Sequence, residues 1–326
     1  MPQINGQEVG ATGLGLMGFT WRDDPIPHQQ AFETLRTALK KGMNFWNGGE
    51  FYGTPECNSM TLLEAYFAKY PEDADKVVLS IKGAVSPGGH GPDGSPEGVR
   101  RSIDNVLKQL NGRKKLDIFE CARRDPKVPM EVTFRTMQEY IDKGLLGGIS
   151  LSEVAASTIH EAVKHAKIVA VEVELSIFSP DVLTNGVAAA CAQYNIPLIA
   201  YSPVGRGILA GKMQSQADIP PFLHRFPRFY PENFPHNLEL ANKVKALAQK
   251  KGCTPAQLAV SWTRCLSRRP GMPTIIPIPG TTRPERVEEN AVEVDLTDAE
   301  MDEIDEILAK FEVKGARYMS GVPTNT

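Results

Sequence analysis

Short continuous apolar runs alternate along the chain with longer stretches whose apolar positions recur every three or four residues. The runs read as strands buried on both faces, and the 3.6-residue pattern reads as amphipathic helix. The first helix is predicted over residues 28–41, with Ala31, Leu35, Ala38 and Leu39 on one face and Gly42 as its C-cap. Further helices are predicted at 60–69, 95–110, 130–143, 152–165, 182–194, 238–250 and 255–265, then from Pro284, with an acidic one over 298–310. Strands are predicted at 77–81, 116–120, 148–150, 169–173, 197–201 and 274–278, with Phe45-Trp46 closing an earlier one. Asn5-Gly6 marks a hairpin ahead of the main body. About eight strand–helix alternations at crossover spacing, with no linker or composition shift, predict one α/β domain over residues 1–326.

A closed (β/α)8 TIM barrel fits this alternation better than an open doubly wound sheet. Gly13-Leu14-Gly15-Leu16-Met17-Gly18 spells G-x-G-x-x-G, yet residues 21–27 intervene before the first long helix. It reads as a glycine-rich first strand running into a loop, because a dinucleotide fingerprint needs a helix directly behind it. Residues 205–235 form a long irregular stretch rich in proline and aromatics.

Composition narrows the function. Hydrophobic content of 41%, charge content of 23% and a net charge of −3 are those of a soluble globular protein with no call on nucleic acid or an anionic membrane. No apolar run approaches the roughly 20 residues needed to span a bilayer, and the first residues lack the basic start of a signal peptide. Five scattered cysteines without a CxxC pair suggest reduced thiols in a cytoplasmic protein, and six dispersed histidines suggest no metal site.

Candidate chemistry concentrates in Asn44-Phe45-Trp46-Asn47-Gly48-Gly49-Glu50-Phe51-Tyr52-Gly53, with Lys82 at the end of the next strand. Parallel strands ending side by side would bring the Tyr52 phenol near the Lys82 ammonium, whose charge is expected to depress the phenol's pKa.

These residues resemble those of the aldo-keto reductases, and within that family the fungal pyridoxal reductases most. The likeness is carried by residues 45–53 and Lys82, by Tyr201-Ser202-Pro203-Val204-Gly205-Arg206-Gly207-Ile208-Leu209-Ala210-Gly211, and by residues 276–290. It implies a (β/α)8 barrel that uses NADPH to reduce a small aldehyde such as pyridoxal to its alcohol. Tyr52 would be the proton donor, Lys82 its pKa-lowering neighbour and Asn47 the partner of Lys82. Ser152 would contact the nicotinamide carboxamide, with Glu153 and Glu172 near its amide. Tyr201 would stack on the nicotinamide, beside Ser202. Gly280, Thr281, Thr282 and Arg283 would receive the 2′-phosphate, and Arg286, Glu289 and Asn290 the rest of the adenosine end. Trp21, Ala122 and Arg123 fall at the substrate pocket. Arginines beside a phosphate favour NADPH over NADH, against the alternative that they form surface ion pairs.

Two positions depart from the family pattern. Its aspartate is Asn47, and its histidine falls at Ala122. Lys82 is therefore expected to act on Tyr52 without a neutralising carboxylate. The missing histidine removes a donor whose loss typically costs on the order of 10²–10³ in rate, unless an ortho-hydroxyl on the substrate replaces it. Glu120 and Arg123 are further candidates whose direction the sequence leaves open. Other readings remain: a nucleotide-sensing barrel like the regulatory subunits of channels, or a general aryl- or aliphatic-aldehyde reductase. Cys121 is expected as a packed strand-end cysteine. Residues 222–234, with five aromatics, form either a lid or rim packing, and residues 314–326 are expected as a mobile end able to cover the pocket. Oligomeric state is left open.

Overall fold

Eight parallel strands follow one another in chain order around a ring: β3 (Leu14–Gly15), β4 (Phe45–Gly49), β5 (Val78–Gly83), β6 (Leu116–Cys121), β7 (Leu146–Ser152), β8 (Ile168–Glu174), β9 (Leu198–Tyr201) and β10 (Ile275–Ile278). This arrangement comes from a computed structural model that describes residues 1–89 and 91–326; among the histidines noted above, His90 lies outside the described residues. A parallel bridge between Gly15 and Gly280 joins the last strand's end to the first. The Gly13 amide reinforces the seam by donating to the Pro277 carbonyl at 2.9 Å. The barrel expected from the alternation is therefore present.

Ahead of it, β1 (Gln3–Ile4) and β2 (Gln7–Glu8) pair antiparallel across Asn5-Gly6, both at positive φ. That hairpin packs Ile4 under the barrel. Helices α2 (His28–Lys40), α3 (Ser59–Lys69), α4 (Pro96–Leu110), α5 (Met130–Asp142), α6 (Ala156–Ala162), α7 (Val187–Gln193), α8 (Phe234–Lys251), α9 (Pro255–Cys265), α10 (Pro284–Asn290) and α11 (Asp298–Ala309) follow the single-turn α1 (Met17–Thr20). No helix among the described residues is long and apolar enough to cross a membrane.

The boundaries differ from expectation where a backbone turn intervenes. The helix predicted over 152–165 shrinks to α6, because Ser152 still belongs to β7 and Glu153 turns the chain at φ +55°. The helix predicted over 182–194 splits at Gly186, whose φ of +91° breaks helical geometry before α7. A helix does follow the glycine-rich strand at once, but it is the four-residue α1, too short for a dinucleotide fingerprint.

Strand alternation sets the content of the barrel interior. Phe45, Val78, Ile118, Ala170, Ile199 and Ile276 form an inner apolar cluster separate from the larger core between strands and helices. Two residues further along the same strands stand Asn47, Ser80, Glu120, Glu172 and Tyr201, with Ile278 of β10 still apolar. The interior thus changes from hydrocarbon to polar toward the C-terminal ends of the strands, where TIM barrels place their sites.

Candidate active site

Tyr52 is seated by the two glycine positions that flank it. A Cβ at Gly49 would lie 2.8 Å from the Tyr52 ring, so only glycine lets the ring fold back on the end of β4. Gly53 turns the chain at φ +124°, where a side chain would also strike the Cys57 carbonyl. Glu50 fastens the loop: its amide donates to the Lys82 carbonyl at 2.7 Å, and its carboxylate accepts from Asn105 at 2.7 Å and from Ser102, both on α4. Trp21 stacks on the exposed side of Tyr52, with ring centroids 5.1 Å apart and planes 25° from parallel.

Beneath the phenol lies a buried charge cluster. The Lys82 ammonium, 5.8 Å from the Tyr52 ring centre, donates to Asn47 Oδ1 at 2.7 Å. It also pairs with Glu172 at 2.5 Å and Glu120 at 3.3 Å. Asn47 Nδ2 donates to the other Glu172 oxygen at 2.6 Å. Lys82 and Glu120 are register partners on adjacent strands, which accounts for their meeting.

The expectation of an unneutralised Lys82 is therefore overturned. Asn47 does replace a carboxylate, but β6 and β8 deliver two others. Burial pushes the Tyr52 phenol up to about 12; the Lys82 ammonium offsets part of that, while Glu172 and Glu120 add to it. The depressed phenol pKa is overturned chiefly by burial, with the two carboxylates adding to it. Burial also works against the charge of Lys82, yet Glu172, Tyr52 and Glu120 outweigh it and hold the ammonium above its usual range.

A second ionic layer lies one step nearer the mouth. Arg317 forks onto Glu153 at 3.0 and 3.3 Å and reaches Glu174 at 3.1 Å, while Arg206 meets Glu174 at 3.2 Å. The Tyr201 hydroxyl donates to Glu153 at 2.8 Å and lies 2.7 Å from the Tyr318 hydroxyl. The Arg206 guanidinium is sandwiched near the rings of Phe226 and Tyr318, at 4.1 and 4.6 Å from their centres. Further out, Arg123 Nε donates to the Pro323 carbonyl at 2.7 Å, and the Thr326 backbone pairs with Glu153 and Ala155.

Residues 314–326, expected as a mobile end, are thus fastened across the mouth. Of the aromatics in 222–234, Phe229 and Phe234 are buried in the rim, Phe226 joins the mouth and Phe222 is exposed. Glu120 turns down to Lys82 and Arg123 out to the tail, leaving buried Ala122 between them. Burial pushes the Cys121 thiol up to about 12, in keeping with a packed cysteine.

The residues expected around a nicotinamide cofactor divide into two groups. Ser152 Oγ is buried with no hydrogen-bond partner, a free polar group that an amide would satisfy. Glu172, expected at the same amide, instead commits both oxygens to Lys82 and Asn47. Ser202 follows β9 at φ +53°, a strained turn of the kind that clusters at functional mouths.

At the other end, Gly280 sits on the barrel seam, and the Thr282 carbonyl is held by Gln30 and Thr34 of α2 at 2.9 and 3.0 Å. Thr281 accepts from the Arg283 amide at 3.3 Å. Arg283, Arg286, Glu289 and Lys212 share the lining of an open cavity of about 580 Å³, and Asn290 is buried at the end of α10. Arg283 and Arg286 both have glutamate partners, Glu285 and Glu289. Exposed Lys212, absent from the sequence-based set, has no carboxylate within ion-pair distance among the described residues. Among the described residues no cluster of His, Cys, Asp or Glu is placed to hold a metal ion.

Comparison with known proteins agrees with this fold. The family model for the aldo/keto reductase family matches residues 11–309. A Schizosaccharomyces pombe protein named "Probable pyridoxal reductase 2" is 42% identical over 327 residues, spanning 98% of this chain and 97% of its own. An uncharacterized oxidoreductase of the same yeast is 36% identical over 292 residues, spanning 88% and 86%. Among solved structures, a glycerol dehydrogenase from Gluconobacter oxydans has the same fold, with a TM-score of 0.81 at 21% identity and 96% of each chain covered. With that match in sequence and architecture, the chain belongs to the aldo/keto reductase family and is an oxidoreductase by kinship.

Proposed function

We propose that this protein is an NADPH-dependent aldehyde reductase whose substrate is pyridoxal or a related aromatic aldehyde, reduced to the primary alcohol. The observation that carries the reading is Tyr52 itself, set at the mouth with Trp21 stacked on one side and Lys82 beneath. A phenol held at about 12 is fully protonated at neutral pH, the form needed to give a proton to a carbonyl oxygen. Trp21 offers a flat apolar wall against which an aromatic aldehyde can lie parallel.

Bound NADPH would supply the hydride. Unpartnered Ser152 would hold its carboxamide, and Lys212, Arg283 and Arg286 its 2′-phosphate, where guanidinium forks favour a dianion over a ribose hydroxyl. Likeness to a protein named as a pyridoxal reductase supports the substrate class.

Ala122 offers no donor for the carbonyl, so a substrate whose own hydroxyl bonds its aldehyde oxygen is favoured. Pyridoxal and salicylaldehyde have that hydroxyl and benzaldehyde does not. Steady-state kcat/KM is expected to be higher for the first two than for benzaldehyde, and higher with NADPH than with NADH. Equal values for salicylaldehyde and benzaldehyde would remove the substrate-donor idea. Tyr52→Phe is expected to lower kcat by about 10²–10⁴, the usual contribution of a positioned acid. Absence of turnover with every aldehyde would leave a nucleotide-binding barrel instead of an enzyme.

A further inference from the structure

Among the described residues, the hydrogen bonds of Tyr52 are made by its backbone. Its amide donates to the Gly49 carbonyl at 3.2 Å, and its carbonyl accepts from Thr20 Oγ1 at 2.7 Å. The Lys82 ammonium spends its contacts on Asn47, Glu172 and Glu120, not on the phenol. The phenol is therefore aimed by the loop that carries it. Thr20 of α1 holds one flank of that loop, and Glu50 holds the other through a buried serine.

Ser102 of α4 is fully buried and stands between the ends of two strands. Its Oγ accepts the Ala84 amide at 2.8 Å, just beyond Lys82 and Gly83 at the end of β5. A Cβ at Gly83 would stand 2.2 Å from that oxygen, so glycine is what lets α4 come so near. Ala84 holds φ +55°, a strained value for a residue with a side chain, and the Ser102 bond helps keep it there. A backbone amide can only donate, which leaves the Ser102 hydrogen for Glu50. Asn105, one turn on, donates to the other Glu50 oxygen at 2.7 Å. Glu50 is thus satisfied as a carboxylate.

We propose that Glu50 is the positioning residue for Tyr52, and that its grip on Ser102 sets the spacing of phenol and Lys82 by tying both strand ends to α4. Its effect on turnover rests on the reading of Tyr52 as proton donor; the tie itself does not. The Lys82 carbonyl adds a second strut by accepting the Glu50 amide at 2.7 Å.

The tie depends on ionised Glu50. Burial raises this carboxyl above its usual range, against the pull of Ser102, Asn105 and Arg101. Those three face it from α4, with Arg101 itself paired to Asp93 at 2.9 Å, and from β5 it meets the Lys82 backbone. As pH falls through the raised value, a proton on Glu50 displaces the Ser102 hydrogen and the loop slackens.

Glu50→Ala keeps the backbone strut and the Thr20 bond, so it should fold. It should lower kcat by about 10², the effect of misplacing a reacting group by roughly 1 Å, with KM for the aldehyde changed only a few-fold. Glu50→Gln should recover most of that loss, since its carbonyl can accept from Ser102 once Asn105 turns its own oxygen toward the new amide. Having nothing to titrate, it should also be without the wild-type decline of kcat on the acid side. Near-ultraviolet circular dichroism of the protein without cofactor reads the loop apart from turnover. The Trp21–Tyr52 stack should give a band that Trp21→Phe identifies, that Glu50→Ala weakens and that Glu50→Gln keeps. Asn105→Ala, which removes one donor without touching the loop, should give the same two changes at smaller size. An intact band or a wild-type kcat in both alanine variants overturns the proposal, as does an acid-side decline that persists in Glu50→Gln. A weakened band in a protein that reduces no aldehyde overturns the reductase reading and leaves the Glu50 tie standing.

Discussion

The two ionic layers in the barrel stand one above the other, and β8 serves both, with Glu172 in the lower and Glu174 two residues on in the upper. The lower has Glu120 and Glu172 against Lys82 alone. The upper has Glu153 and Glu174 against Arg206 and Arg317. Only the upper layer is neutral without a retained proton. The cation types match that contrast. Arginine holds its charge in any protein environment, whereas lysine can give a proton up. The upper layer is therefore a fixed clamp of chain on chain, and the lower keeps a titratable carboxyl pair beneath Tyr52.

Removing the cation from each layer breaks the comparison most sharply. Lys82→Met leaves the buried carboxyl pair without its cation and is expected to cost about 3–5 kcal/mol, the usual penalty for unpairing buried charge, read from denaturant unfolding. Arg317→Met is expected to cost less, about 1.5–3 kcal/mol, the range for lost hydrogen bonds to charged groups. Arg206 still faces Glu174 in that variant, and the Tyr201 hydroxyl still donates to Glu153. It should also release the tail, detected as faster proteolysis after residue 314.

A smaller effect separates the layers by pH. Burial raises the pKa of Glu153, but hydrogen bonds from Arg317 outweigh it and hold the carboxyl below its usual range. Its stabilisation is present above the unfolded pKa near 4.5 and is lost as pH falls through the lowered folded value. Glu172 has the opposite sign. Between about 4.5 and 8 the folded pair holds a proton that the unfolded chain has released, so stability falls as pH rises across that window. Tm measured against pH should have a shallower acid-side decline in Glu153→Gln. In Glu172→Gln it should instead lose the decline between about 4.5 and 8.

What could be read in advance followed from local chemistry. The hairpin was legible in Asn5-Gly6, the end of α2 in Gly42, and the start of α4 in Ser95-Pro96, whose serine does cap the helix by accepting from the Gly98 amide at 3.1 Å. Tyr52 and Lys82 were legible because each ends a strand in a loop-forming context. The acids beneath them were half legible. A glutamate in a run as apolar as Leu116–Cys121, or in Val-Glu-Val-Glu of β8, must find a buried partner. The sequence does not say which one, because that depends on the parallel register setting Lys82 opposite Glu120.

The sequence by itself determined the alternation of strand and helix and the glycines that let Tyr52 fold back. Those properties reside in single residues and their neighbours. Only the tertiary structure decided that Glu120 and Glu172 converge on Lys82 and that Arg317 crosses the mouth to Glu153, 164 residues away. Ring closure brings β6 and β8 within a few ångströms of β5 inside one barrel, and at that distance, away from water, charges set one another's protonation. Asn47 alone promised an exposed ammonium field; the closed barrel supplied the carboxylates that take it up.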